Sequence, residues 1–487
     1  MNTITMIAFG LYLALIVTIA LVAYRVTRNL SDFVLGGRSL GGAVAALSAG
    51  ASDMSAWLLL GLPGAVFALG INQIWLPIGL TLGAYASWRF IAKPLRVFSE
   101  YANDSLTVPA YLDNRFKDSS GWIRALLALV TLIFFAFYTA SGLVGGAMLM
   151  QRFGLSYQEA LWLGTSIIVA YTFIGGFLAV SWTDFFQGTF MFICLLLVPY
   201  LACQELGGVS ITLSMIEAKD PALLNPTKGT NALLLLNLFA WGLGYFGQPH
   251  ILVRYMAVKS VSAIKLARRI CVSWMSLSMI GALLTGFIGI AYFEAFDINP
   301  ESVFILFSQH LFTPWLAGIL FAAILSSIMC AIDSQMLASS SALTEDIYRT
   351  LIRKSASQKE LIWIGRVAVI LISLVAVSLA KTPESKVIEL VAFAWAGLGS
   401  SFGPAVTLSL FWRRMTRRGA IAGIVIGAAT VVIWKLNSGG LFDIYEIIPG
   451  YLFGTIGIVL VSLLDKNPSN EITDQFDKAW QQIRTAS

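Results

Sequence analysis

The 487-residue chain is 57% hydrophobic and only 12% charged, where soluble domains average roughly 45–50% and about 25%. Apolar runs recur from Ile4 to Leu464, and about 20 residues suffice to cross a hydrocarbon core of about 30 Å. This excludes a soluble enzyme, whose helices would need polar faces, and a β-barrel, which would show alternating segments of about ten residues. The net charge of +6 does not imply nucleic acid, because the basic residues sit in short loops between apolar runs.

Backbone polar groups in lipid must be satisfied within their own segment, so the runs are expected to be helices and the fold all-α. Taken in chain order they predict 13 spans, at 4–24, 42–68, 73–92, 123–150, 158–178, 184–203, 232–256, 268–292, 314–341, 361–380, 387–412, 419–436 and 446–464. The first span lacks a basic leader and is too long for a signal-peptide core, so it is expected to be retained.

Alternate loops hold Arg25, Arg28 and Arg38; Arg89, Lys93, Arg96, Arg115, Lys117 and Arg124; and Arg254, Lys259, Lys265, Arg268 and Arg269. The same side takes Arg349, Arg353, Lys354, Lys359 and Arg366; Arg413, Arg414, Arg417 and Arg418; and Lys466, Lys478 and Arg484. Of 32 lysines and arginines, the other side keeps only Arg152, Lys219, Lys228, Lys381, Lys386 and Lys435. The basic side is cytoplasmic by the positive-inside rule, which places the N-terminus outside and the C-terminus inside a bacterial inner membrane. The expected organisation is one membrane domain over 1–464: an extra first helix (4–24), a core (42–412) and two final helices (419–464). A solvated cytoplasmic tail (465–487) follows.

Two spans break the apolar rule alike. The second carries Gly50-Ala51-Ser52-Asp53-Met54-Ser55-Ala56-Trp57 near its middle, and the seventh carries Trp241-Gly242-Leu243-Gly244-Tyr245-Phe246-Gly247-Gln248-Pro249-His250. Glycine weakens a helix and Pro249 removes a donor. The two lie five spans apart and run oppositely, as in an inverted repeat of spans 2–6 and 7–11, each opening on a broken helix. Glycines that only permit close helix packing are the alternative. Asp53, in mid-span, costs about 2.5–3.5 kcal/mol unless a cation, a proton or freed amides repay it; it also suits a cap for the second half-helix.

Trp57, Tyr138, Trp241 and Tyr245 cluster around the breaks and offer flat walls for a compact amphipathic ligand. The ninth span packs Ser326, Ser327, Cys330, Asp333, Ser334 and Gln335 together, which should face the bundle interior or a cytoplasmic cavity. Asp184 opens the sixth span, either as an N-terminal cap at its cytoplasmic end or as a functional carboxylate. The two histidines, His250 and His310, have no partner for a metal or catalytic dyad. Cys194, Cys203, Cys271 and Cys330 lie in apolar runs without paired spacing, as buried free thiols.

These residues resemble the sodium/solute symporter family over nearly the whole chain. The likeness runs through Leu35-Gly36-Gly37-Arg38-Ser39-Leu40, Ser48–Ser55, Gly61-Leu62-Pro63-Gly64-Ala65, Thr172–Asp184, Trp241–His250, Ser341–Asp346 and Ala392–Pro404. It implies a secondary active transporter, not an enzyme, with a five-plus-five inverted-repeat core and no organic cofactor. It further implies import of L-proline or a closely similar small amino acid, driven by inward sodium flow through alternating access. Carried over by position, sodium would meet the Ala51 and Met54 carbonyls, with Asp53 assisting and Ser327, Cys330 and Ala331 opposite. The substrate would meet Ser55, Trp57, Tyr138, Trp241, Tyr245 and Pro249.

The chain departs from the family at two places. A Ser-Thr pair whose hydroxyls hold sodium is replaced by Cys330-Ala331, and sulfur is a poor ligand for a hard cation. Ala56 stands where proline-specific members often have glycine. Ser326, Ser327, Asp333 or a water would then compensate, or Asp53 or Asp333 would carry a proton instead. The alternative expectation is therefore a proton-coupled or sodium-independent transporter of proline or another small solute.

Overall fold

The computed structural model describes residues 3–24, 38, 40–175, 177–227, 229–294, 298–382 and 386–485. Most of the Leu35–Leu40 motif, with Arg25, Arg28 and Lys228, lies outside them. The described residues are helical throughout, joined by short turns, and their one β-type contact is a parallel bridge between Leu40 and Val258.

In chain order, α1 (Thr3–Tyr24) is followed by α2 (Gly42–Asp53), a break, a π-helical turn at Trp57–Gly61 and α3 (Leu62–Leu69). Then come α4 (Trp75–Ala86), α5 (Ala92–Tyr101), the short α6 (Val108–Phe116), α7 (Trp122–Gln151), α8 (Tyr157–Gly175) and α9 (Phe177–Glu205). After α10 (Val209–Lys219), the second broken unit comprises α11 (Ala232–Ala240), a 3-10 segment Trp241–Phe246 and α12 (Pro249–Ala257). It leads to α13 (Ala263–Tyr292), α14 (Val303–His310), α15 (Pro314–Ser341), α16 (Gln358–Leu379), α17 (Val387–Phe411), α18 (Arg417–Lys435), α19 (Ile447–Leu464) and α20 (Asn470–Thr485).

Among the described residues eight helices are individually long and apolar enough to cross a bilayer, and α2 with α3, bent by 61°, makes a ninth. The break divides the seventh run into helices each too short to cross alone. Leucines and isoleucines left exposed on α9, α13, α16 and α19 form the kind of apolar surface that lipid covers. The interior holds α2, α7, α15, α17 and the break of the seventh run. α15 is buried from Leu320 to Leu337, its polar residues included.

Three expectations need correction. The tail beyond Leu464 is not merely solvated: α20 is amphipathic, burying Phe476, Ala479 and Ile483 while Glu471 and Asp477 pair with Lys117 and Arg413. The stretch left between the sixth and seventh predicted spans is not all connecting loop, since Val209–Lys219 forms α10. Asp184 caps nothing, because α9 begins at Phe177, about two turns earlier; apolar Phe177–Val180 extends the helix past the polar residues that suggested a boundary.

Candidate transport site

The site begins with interrupted backbone ladders. In the second run the Ser55 amide turns back to the Asp53 carbonyl at 2.8 Å, so the Ala51 carbonyl loses its i+4 donor. The Asp53 carbonyl instead collects side chains: Trp57 Nε1 donates at 2.9 Å and the Tyr138 hydroxyl at 3.2 Å. Asp53 does not cap the helix that follows, which starts without a side-chain cap. Its carboxylate accepts the Tyr245 hydroxyl from the other broken unit. The Ser55 hydroxyl is buried with no hydrogen-bond partner.

In the seventh run, Pro249 starts α12 at a position where its missing N–H costs nothing. Trp395 on α17 donates to the Trp241 carbonyl at 2.7 Å, and its ring meets that of Tyr245 edge-on with centroids 5.1 Å apart. Trp241 stacks on Tyr445 at 5.4 Å. The glycines serve packing as well as bending: a Cβ on Gly83 would lie 2.2 Å from the Gly242 carbonyl oxygen, and one on Gly244 would lie 1.9 Å from Trp395 Nε1. Helix α4 therefore crosses this break by direct backbone contact.

Asp53, Ser55, Trp57, Tyr138 and Tyr245 are thus brought together, with Trp241 and Pro249 on the same broken unit. The expected cation ligands divide. Ala51, Asp53 and Met54 belong to the first break. On α15, Ser327 bonds to the Ile324 carbonyl at 2.9 Å. Cys330 turns toward α9, donating its thiol to Gln187 Oε1 at 3.0 Å, and Gln187 in turn donates to the Tyr12 hydroxyl at 3.1 Å. Tyr12 contacts Ser326, so a residue of the first run enters this polar layer. Asp333 accepts the Thr172 hydroxyl through one oxygen, and the other has no partner.

A second network was not foreseen. Arg254 on α12 is fully buried and donates to the His250 carbonyl at 2.6 Å, Ser334 at 2.7 Å, Ser48 at 3.1 Å and Asp184 at 3.4 Å. Ser48 also donates to Asp184 at 2.7 Å. The guanidinium thereby ties both broken units to α9 and α15. The available signal was an arginine one turn beyond His250, on an apolar helix, which the loop count had assigned to the basic side. Trp395 was missed individually, although it falls in the Ala392–Pro404 stretch. His250 is buried with both ring nitrogens unpaired, its ring edge-on to Phe135 and Tyr138. Among the described residues, no three of His, Cys, Asp and Glu form a transition-metal site.

The model of the Sodium:solute symporter family matches residues 33–427. The sodium/proline symporter of Salmonella typhimurium is 50% identical, aligned over 98% of this chain and 96% of its own length. The high-affinity proline transporter PutP of Bacillus subtilis is 51% identical over 93% of this chain and 97% of its own. A solved Na+-coupled sialic acid symporter, in a substrate-bound outward-open state, superposes with a TM-score of 0.82 at 18% identity, covering 96% of this chain and 99% of that one. That likeness concerns the fold.

Proposed function

The chain belongs to the sodium:solute symporter family, and we propose that it imports L-proline, or a closely similar small amino acid, coupled to inward sodium flow. The protein is a membrane transporter, not an enzyme, and its coupling ion is a co-substrate rather than a resident cofactor. The observation that carries the proline reading is the near-full-length match, at about half identity, to relatives named for proline transport.

In this reading the two breaks open opposite halves of a five-plus-five inverted repeat, within 13 spans oriented with the N-terminus outside and the C-terminus cytoplasmic. The membrane is a bacterial inner membrane. Proline lies among Ser55, Trp57, Tyr138, Trp241, Tyr245 and Pro249, where aromatic faces take its ring and the unpaired Ser55 hydroxyl offers a polar contact. The Ala51 carbonyl, freed of its i+4 donor, supports an oxygen site beside Asp53, Met54 and Ser327. Cys330 adds no hard ligand and points at Gln187, so the cation relies on the remaining oxygens.

Coupling follows from what each ligand orders. Sodium joins the break of the second run to α15, while proline joins both breaks; each binds better once the other has fixed the shared backbone. The Tyr245–Asp53 contact passes that ordering from one broken unit to the other.

The test is uptake of labelled proline into liposomes containing the purified protein. Accumulation under an inward sodium gradient supports the reading. Accumulation that ignores sodium and follows an inward proton gradient replaces it with proton coupling through Asp53 or Asp333, and no proline uptake under either gradient assigns another solute.

A further inference from the structure

Between the Arg254 network and the cytoplasmic ends of the helices lies a small cavity of about 30 Å³, lined among others by Thr107, Thr131, Arg254, Ser334, Ser341 and Asp346. That is room for one water or one dehydrated cation. Asp346 sits in the π-helical continuation of α15 (Ala342–Ile352) and is fully buried. Its carboxylate accepts one hydroxyl, from Thr107, at 3.0 and 3.2 Å to its two oxygens.

The basic groups nearby are engaged elsewhere. Arg124 pairs with Asp113 at 2.8 Å and bonds Thr350 at 3.2 Å, and Arg349 pairs with Glu345 at 2.9 Å. Arg254, at the other end of the cavity, has its charge matched by Asp184. Among the described residues no lysine or arginine pairs with Asp346. A buried carboxylate with a single hydroxyl donor is costly to hold in a membrane protein unless something else meets its charge. The hydroxyls of Thr107, Thr131 and Ser341 around the same space provide hard oxygen donors, the kind sodium prefers.

Resting on the sodium-symport reading and its orientation, we propose that this cavity is a transit site for the released cation on the cytoplasmic side, with Asp346 and the Thr107 hydroxyl as its ligands. Thr107 is suited to regulate passage, since the same oxygen caps α6 by accepting from the Ala110 amide at 3.1 Å. Displacing the hydroxyl from Asp346 to admit a cation therefore loosens the start of α6, whose Val108 and Pro109 line the cavity.

The experiment measures proline uptake into liposomes preloaded with graded sodium, for wild type, Asp346→Asn and Thr107→Ala. External sodium is held fixed in one series and varied in another, and proline binding is measured in detergent. The expected result is that half-inhibition by internal sodium requires at least fivefold more sodium in Asp346→Asn, with a smaller shift for Thr107→Ala. Half-saturation by external sodium and proline binding stay within twofold. Internal-sodium curves that overlay wild type overturn the proposal, as does loss of proline binding in Asp346→Asn, which would make the carboxylate structural. Wild-type protein with no sodium-driven uptake overturns the parent reading as well, and that result is distinct from both.

Discussion

The Tyr245 hydroxyl donates to the Asp53 carboxylate, and so the breaks of the two units, distant in sequence, are joined by a hydrogen bond in the centre of the bundle, in addition to the one from Arg254 to Ser48. Trp395 steadies the Tyr245 side through its edge-on ring contact. Trp57 and Tyr138 hold the Asp53 backbone on the other.

Tyr245→Phe keeps the ring and removes the donor. A buried acceptor left unpaired costs about 1–3 kcal/mol. We expect the sodium and proline concentrations for half-maximal uptake to rise together, by roughly 5- to 150-fold in their combined effect. A change in one alone would mean that Tyr245 belongs to one ligand's site and does not link the two.

Arg254→Ala strands Asp184, since the guanidinium is its one ion-pair partner among the described residues. Breaking a buried pair on one side destabilises by about 3–5 kcal/mol. Thermal unfolding in detergent should show the loss, and adding Asp184→Asn should recover part of it. Equal stability of Arg254→Ala and wild type would contradict the role given to the network.

Gly83→Ala places a methyl 2.2 Å from the Gly242 carbonyl oxygen, where backbone rather than a flexible side chain must yield. Overpacking of this kind costs about 1–3 kcal/mol or more, and proline uptake should fall by roughly fivefold or more on that scale. Gly146→Ala, with open space around its new methyl, is the control and should transport as wild type does. Parallel behaviour of the two variants would remove the case for a close backbone crossing at this break.

Cys330→Ser exchanges a soft donor for a hard one at a position the family resemblance assigns to sodium. The external sodium needed for half-maximal uptake should drop, by roughly threefold or more if the new oxygen reaches the cation. An unchanged or higher requirement would place the cation away from residue 330, and would show that the contact with Gln187 describes the side chain's whole role.

Much of this was legible beforehand because lipid imposes simple rules. The broken second and seventh runs were visible in Asp53, the glycines and Pro249, residues that mid-membrane helices carry only for a reason. Orientation signals in loops say nothing of buried charge, which is why Arg254 was counted among the basic loop residues and its pairing with Asp184 was missed. Asp184 itself misled: it follows polar Ser181 and Thr183 and resembles a helix start, but the structure extends α9 through them, because the Asp184 carboxylate accepts from Ser48 inside the bundle and Thr183 donates to the Val180 carbonyl of its own helix. The tail was misread for a related reason. The stripe Phe476, Ala479, Ile483 is amphipathic, but only the docked neighbours, including Arg115 lying 5.0 Å over the Phe476 ring, give that face something to bury against.

The most direct measurement follows both solutes in the same liposomes: influx of radiosodium and of labelled proline, each with and without the other outside. Obligate symport predicts that external proline accelerates sodium influx and that external sodium accelerates proline influx, in a fixed ratio across concentrations. Proline influx at full rate with sodium absent, or sodium influx indifferent to proline, would contradict the account.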